Sequence, residues 1–215
     1  MISEEVQEWL YSAINIYDKL VNKDFLLICR IDSQHPLEYF EIRIKEENFW
    51  HLLGCKIRDG RSVQNHELYV SCLNRKPIRE YLEYVRNRDI NSCKIKYGIF
   101  TRVFDFISNA KRIKVCRTEN TPDYYTFVLA VGYDEGIIGY DHKKSSLVHY
   151  PKTTQAKTIE SFNAAKQAKK IMSILSKPIS NSGYKEIVFE YKKNATKEII
   201  KSIDTIYKEK IDKTI

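Results

Sequence analysis

The stretch YYTFVLAVGYDEGIIGYDHKKSSLVHYPKTT, residues 124–154, decides the fold. Apolar, β-favouring residues fill short runs at 125–131, 137–140 and 146–150. The gaps between them carry turn chemistry, Asp134-Glu135-Gly136 and then Asp141-His142-Lys143-Lys144. Gly132, Gly136 and Gly139 fall where reversals need positive φ or close backbone approach. The pattern predicts a three-strand antiparallel meander. Pro151 has no amide proton to give to a ladder, so pairing is expected to stop there. His142, Lys144, His149, Lys152, Thr153 and Thr154 crowd the ends of an otherwise apolar sheet, which is where a functional site is expected.

Upstream of the meander, residues 3–22 set Val6, Trp9, Leu10, Ala13, Ile14 and Tyr17 on one face of an amphipathic helix, with Ser3 placed to cap it. Residues 25–31 and 39–44 read as strands, and 46–53 as a short helix stopped by Gly54. A charged loop follows over 56–67. A helix is expected from Asn74-Arg75-Lys76-Pro77 onward, with Ile78, Tyr81, Leu82 and Val85 as its stripe. A further helix carries Ile99, Phe100, Val103, Phe104 and Ile107, before a strand at 112–116.

Downstream, Ile159, Phe162, Ala165, Ala168, Ile171, Met172 and Leu175 mark a long helix with a lysine-rich outer face. An edge strand at 186–191 and a final helix at 196–210 complete the chain. The sum is an α+β fold, a twisted antiparallel sheet packed against N-terminal and C-terminal helices. It divides into a core over 1–155 and a lysine-rich helix-strand-helix extension over 156–215, packed on the same domain.

With 43% hydrophobic and 12% aromatic residues, the chain of 215 can bury a core. No apolar run reaches the roughly 18–20 residues of a membrane span, and the acidic, amphipathic start is unlike a signal peptide. A cytoplasmic protein without a membrane partner is expected. The five cysteines are scattered, with no CxxC pair, and read as free, buried thiols. The +8 net charge lies wholly within residues 111–215, while residues 1–110 are balanced. That favours a polyanion, nucleic acid first, as partner of the second half. A lysine-rich composition with no binding role would give the same excess.

No Walker loop, GxGxxG, HExxH or GxSxG occurs, nor a carboxylate cluster suited to Mg²⁺, so no cofactor and no metal are expected. His35, His66 and His142 read as solvent-facing. His51 lies inside the apolar segment between Phe49-Trp50 and Leu52-Leu53, where it is either a hydrogen-bonded core residue or a functional one. A near-neutral imidazole there could move protons between a ribose 2′-hydroxyl and a leaving 5′-oxygen. Such a step also needs cations on the phosphate. Lys144, Lys152 and Arg102 are candidates, with Thr153 and Thr154 as further donors. Lys143, Lys144, His149, Lys166, Lys169 and Lys170 are candidate nucleic-acid contacts, beside tyrosines at 124, 125, 133, 140 and 150 that can stack on bases.

Two stretches carry a family likeness. One is Asn48-Phe49-Trp50-His51-Leu52-Leu53-Gly54, similar to an aromatic-x-His-Leu-small-Gly segment. The other is the meander, with Leu129-Ala130-Val131-Gly132, Ile138-Gly139-Tyr140 and Tyr150-Pro151-Lys152-Thr153. The chain resembles, over about residues 5–155, the Barnase–EndoU–Colicin E5/D–RelE-like (BECR-fold) nucleases of phages and mobile elements. It departs at Leu53, where that segment has Thr or Ser. The resemblance implies a four-stranded twisted sheet on N-terminal helices and a toxin-like, metal-independent endoribonuclease. His51 would be base or acid, Lys152 and Arg102 would stabilise the phosphorane, and Thr153 and Tyr140 would position it. RNA or another nucleic acid is then the partner, with a protein inhibitor or antitoxin as a second. The competing expectation is a non-catalytic phage or plasmid protein that binds nucleic acid, or inhibits a defence system, through its basic half.

Overall fold

A computed structural model describes residues 1–60, 62–118, 127–142, 146–162, 168–203 and 205–212. Helix α1 (Glu4–Tyr17) begins as its sequence dictates: the Ser3 side chain accepts from the Val6 backbone N–H, and Glu4 and Glu5 sit in the first turn. Its buried face, Val6, Leu10, Ala13, Ile14 and Tyr17, joins the main core.

Strand β1 (Lys23–Arg30) is antiparallel to β2 (Glu38–Arg43). Alternation along β1 feeds two cores. Phe25, Leu27 and Cys29 pack with α1, whereas Leu26 and Ile28 pack with Tyr184, Ala195 and Ile199 from the far end of the chain. The strand is therefore covered on both faces, which is why its sequence is a continuous apolar run.

A 3₁₀ turn at Glu46–Asn48 leads into α2 (Phe49–Leu52), and Gly54 reverses the chain with φ +83. The next stretch departs from expectation. The charged loop over 56–67 contains most of β3 (Cys55–Ile57) and the start of α3 (Asn65–Leu73). The helix expected after Pro77 is instead a 3₁₀ turn and then β4 (Leu82–Tyr84), paired with β3. The cause is tertiary: Gln7 Oε1 accepts from the backbone N–H groups of both Ile78 and Arg79, tying this segment to α1. Helix α4 (Ile90–Phe104) starts at Asp89, whose carboxylate accepts from Ser92 N–H, and is followed by the short α5 (Phe106–Asn109).

After β5 (Lys114–Arg117), the expected meander is present as β6 (Leu129–Tyr133), β7 (Gly136–His142) and β8 (Val148–Gln155). Pro151 does not end it. Gly139 pairs with Thr153 and Tyr140 with Pro151, so Lys152 is an extra, bulged residue, and the ladder continues to Gln155. A bulge is one of the few places where a strand tolerates proline. Tyr124 and Tyr125 lie outside the described residues.

The largest correction concerns residues 159–175. They form a 3₁₀ turn at Ile159–Phe162 and then strand β9 (Lys169–Pro178), where one long helix was expected. Ile171 and Ile174 enter the main core and Leu175 the second, so β9 too is buried on both faces. An apolar run of this kind has no period that separates strand from helix. Edge strand β10 (Glu186–Glu190) is as expected. The final helix is broken into α6 (Ala195–Ser202) and α7 (Thr205–Lys208).

The sheet has eight strands rather than four, in the order β1-β2-β8-β7-β6-β5-β9-β10, and β9 also pairs with β1. The ladders thus form a closed circuit from β1 through β2, β8, β7, β6, β5 and β9 back to β1, with β10 attached outside it. All pairings are antiparallel except β2 with β8. No helix among the described residues is long and apolar enough to cross a membrane.

Candidate active site

Helix α2 is one turn long, and Phe49, Trp50 and Leu52 anchor it in the core. Trp50 Nε1 donates to Asn65 Oδ1 at 2.8 Å, which fixes the turn from outside. Side chains on a helix fan out by about 100° per residue, so His51 is the one left facing solvent. It is not a core histidine.

His51 opens onto a cleft of about 430 Å³, lined also by Lys45, Glu47, Asn48, Asp141, His142, Tyr150, Pro151 and Lys152. The bulge of β8 brings Lys152 here. Freed from the ladder, its ammonium donates to Asp141 Oδ2 at 2.7 Å. This contact, together with the His142 backbone N–H, holds the Asp141 carboxyl below its ordinary value against the opposing effect of burial. Lys45 Nζ lies 4.9 Å from the centre of the Tyr150 ring, so that aromatic face is already in contact with a cation.

Two polar atoms in the cleft wall are buried without a partner among the described residues, Asn48 Oδ1 and His142 Nδ1. Such atoms are uncommon in folded proteins and cost free energy unless a ligand or water meets them. His142 stands opposite His149 in the ladder, with ring centres 5.2 Å apart. His149 Nδ1 donates to the Glu41 carbonyl at 3.0 Å, which orients that ring.

The His51 pKa is lowered, chiefly by burial and further by the Lys96 and Arg88 cations. Its imidazole is therefore neutral at neutral pH and able to accept a proton.

The structure thus brings His51 and Lys152 to one cleft. Arg102 is elsewhere: it donates to Glu135 Oε2 at 2.7 Å, stacks on Tyr133, and lines a separate hollow with Lys111, Arg112 and Lys114. Tyr140 is fully buried in the main core, its hydroxyl without a partner among the described residues, and it does not line the cleft. Thr153 is half-buried on β8 opposite Gly139, outside the cleft lining, and Thr154 is buried.

Of the candidate nucleic-acid contacts, Lys169 is buried against Glu38 at 3.2 Å, and Lys170 is exposed beside a hollow shared with Arg30. Lys143, Lys144 and Lys166 lie outside the described residues. All five cysteines are buried and free, as expected. Among the described residues no group of three or more His, Cys, Asp or Glu side chains could hold a metal ion.

Sequence reasoning gave no role to Lys45, Asn48 or Asp141, and placed His142 at the expected site but read it as solvent-facing. One signal was present: His142 and His149 flank the turn of a hairpin and so were bound to meet across it. Nothing local marked Asn48.

A family model described as phage-Barnase-EndoU-ColicinE5/D-RelE like nuclease4 matches residues 9–193, most of the chain. No curated protein and no solved structure matches.

Proposed function

The chain belongs to the phage-Barnase-EndoU-ColicinE5/D-RelE like nuclease4 family, and we propose on that footing that its cleft cuts RNA by general acid–base chemistry without a metal. The observation that carries this reading is the meeting of two imidazoles, His51 and His142, with the Lys152 ammonium at one cleft. His51, kept neutral by its surroundings, takes the proton from a ribose 2′-hydroxyl. The 2′-oxygen attacks the adjacent phosphorus, and the bond to the 5′-oxygen breaks. His142, as the general acid, gives a proton to that leaving oxygen. Lys152 and Lys45 offset the charge that builds on the phosphoryl oxygens, and the Tyr150 ring can hold a flanking base.

The products are a 2′,3′-cyclic phosphate and a 5′-hydroxyl, so atoms and protons balance. In this reading the RNA is cytoplasmic, and a protein inhibitor or antitoxin would act by covering the same cleft. Incubation with RNA in EDTA, with mapping of the new ends, tests the proposal. Cyclic-phosphate ends are expected, and 2′-O-methylated RNA should stay intact. Cleavage of DNA, or a strict need for added Mg²⁺, would overturn it.

A further inference from the structure

Beyond the cleft, α4 carries a buried cation that the chemistry above does not use. Lys96 is only 7% exposed, yet among the described residues its ammonium has no hydrogen bond and no ion pair. Arg88 repels it, while Cys93 and Cys55 act on it in the opposite sense. Burial and Arg88 push its pKa down to about 8. The lysine stem runs over Gly54, where a Cβ would come within 3.3 Å of Lys96 Cδ and 3.2 Å of Cys93 Sγ. A buried ammonium without an acceptor is costly.

Thr154 is a second, independent anomaly. It is 2% exposed and its hydroxyl oxygen has no partner among the described residues. Lys96 and Thr154 line one pocket of about 290 Å³ with Arg88, Ser92 and Lys157, and no carboxylate lines it. The pocket thus offers the Lys96 ammonium, the Arg88 guanidinium and two hydroxyls, with no carboxylate among the described lining residues. That donor set matches an oxyanion with several acceptor oxygens.

The pocket is also in line with the cleft. Strand β8 borders the cleft at Tyr150, Pro151 and Lys152, and the pocket at Thr154 and Gln155. Lys152 and Thr154 are about 6–7 Å apart along the strand, given a rise of about 3.3 Å per residue. One nucleotide of an extended chain covers such a step. His51, on the cleft side, lies within the electrostatic reach of both Lys96 and Arg88.

We propose that Arg88, Ser92, Lys96 and Thr154 form a phosphate-binding subsite that holds the RNA backbone one nucleotide from the bond that is cut. The proposal rests on the reading of the cleft as a ribonuclease site. It adds a substrate requirement: a strand with a phosphate beyond the scissile one, in preference to a dinucleotide.

The test has two arms. In the first, inorganic phosphate is titrated into the wild-type chain, His51→Ala, Lys96→Met, Thr154→Val and Lys96→Arg, and followed by backbone amide shifts of Ser92 and Thr154. Saturable binding is expected in wild type and in His51→Ala, loss of about tenfold or more in Lys96→Met, a smaller loss in Thr154→Val, and partial recovery in Lys96→Arg. This arm needs no catalysis, so failure of the nuclease reading leaves it intact. In the second arm, run at pH 7.5, above the ordinary histidine value of about 6.5 so that the Lys96 effect on His51 does not enter, Lys96→Met should raise KM for an oligoribonucleotide about tenfold and leave dinucleotide cleavage unchanged. Phosphate binding unaltered by Lys96→Met would overturn the subsite. Equal loss on both substrates would overturn it too, since Lys96 would then act at the scissile phosphate itself.

Discussion

Lys152 reaches Asp141 at 2.7 Å from the one position where β8 holds a residue that β7 does not match. The bulge therefore does two things with one inserted residue. It lets Pro151 stay inside a strand, and it turns a lysine that the ladder would have held flat toward the cleft. The pair is partly exposed, so its worth to stability is small, within about 1 kcal/mol. Its value is in where the ammonium ends up.

Lys152→Met should accordingly lower kcat/KM for RNA by about 10²-fold, as the loss of a single preorganised charge donor does at other phosphoryl and oxyanion sites. The melting temperature should move by no more than a few degrees. Steady-state kinetics beside a thermal melt checks both. A large drop in melting temperature with kcat/KM preserved would assign Lys152 to the fold instead.

The imidazoles make a pH prediction. His51 has a lowered pKa, so its folded form binds protons less readily than its unfolded form. Its contribution to stability is present above the unfolded value of about 6.5 and is lost as pH falls through the lower folded value. His66 runs the opposite way, since Glu46 raises its pKa. Its contribution is present below about 6.5 and is lost as pH rises through the higher folded value. His51→Asn should flatten the acid loss of stability and also remove the acidic limb of the rate profile, with activity down by about 10²–10⁴-fold. Chemical denaturation between pH 4 and 8, paired with initial rates, reads both limbs.

Lys96 should destabilise the free protein. Its folded pKa, about 8, is below that of an ordinary lysine, so the cost of its buried charge is fully present below pH 8. The cost fades as pH rises from there to about 10.4, the unperturbed lysine value. Lys96→Met should raise the melting temperature at pH 7 without phosphate, and the gain should shrink by pH 10. A variant less stable than wild type at pH 7 would show that Lys96 has a partner inside the fold.

Tyr140 gives the simplest check. Its hydroxyl is buried with no acceptor and no donor among the described residues, so Tyr140→Phe removes an unsatisfied group and leaves the ring in place. Stability should hold or rise by about 1 kcal/mol, with nuclease activity unchanged. A hundredfold loss of activity would mean that the tyrosine works through a path the resting fold does not display.

How far the sequence could be read depended on whether an element has one wet face or turn residues at its ends. Helix α1 and edge strand β10 show their period in residue type, and the β6–β7–β8 meander, although β6 and β7 are buried on both faces, is marked by the turns between its strands. Strand β9 was not, because Ile171, Ile174 and Leu175 are covered from both sides and no polar face marks the alternation. The turn before β4 was hidden for a different reason: its backbone is held by Gln7, distant in sequence. At the site, His51 stood out since a polar residue amid Phe49, Trp50, Leu52 and Leu53 demands an explanation. His142 did not, for a histidine in a turn is ordinary until the hairpin folds it against a wall. Arg102 and Tyr140 show the converse. A suitable side chain near the right strand still answers to its register, and theirs put one on another hollow and the other in the core.

The closed circuit of strands bears on how this nuclease is made. Asp24 pairs with Lys177 and Lys23 with Pro178, so β1 waits for a strand far down the chain before it acquires its second neighbour. Pairings so distant in sequence are slow, because the intervening chain must surrender its freedom before any contact rewards it. Until then β1 and β5 each present an unclosed edge, a hazard for aggregation and a reason for the nascent chain to need protection. The same delay bears on activity. Under the proposed reading, the sheet that carries Lys152 and His142 closes only when these distant strands meet, so cleavage would wait on the slowest pairings of the fold.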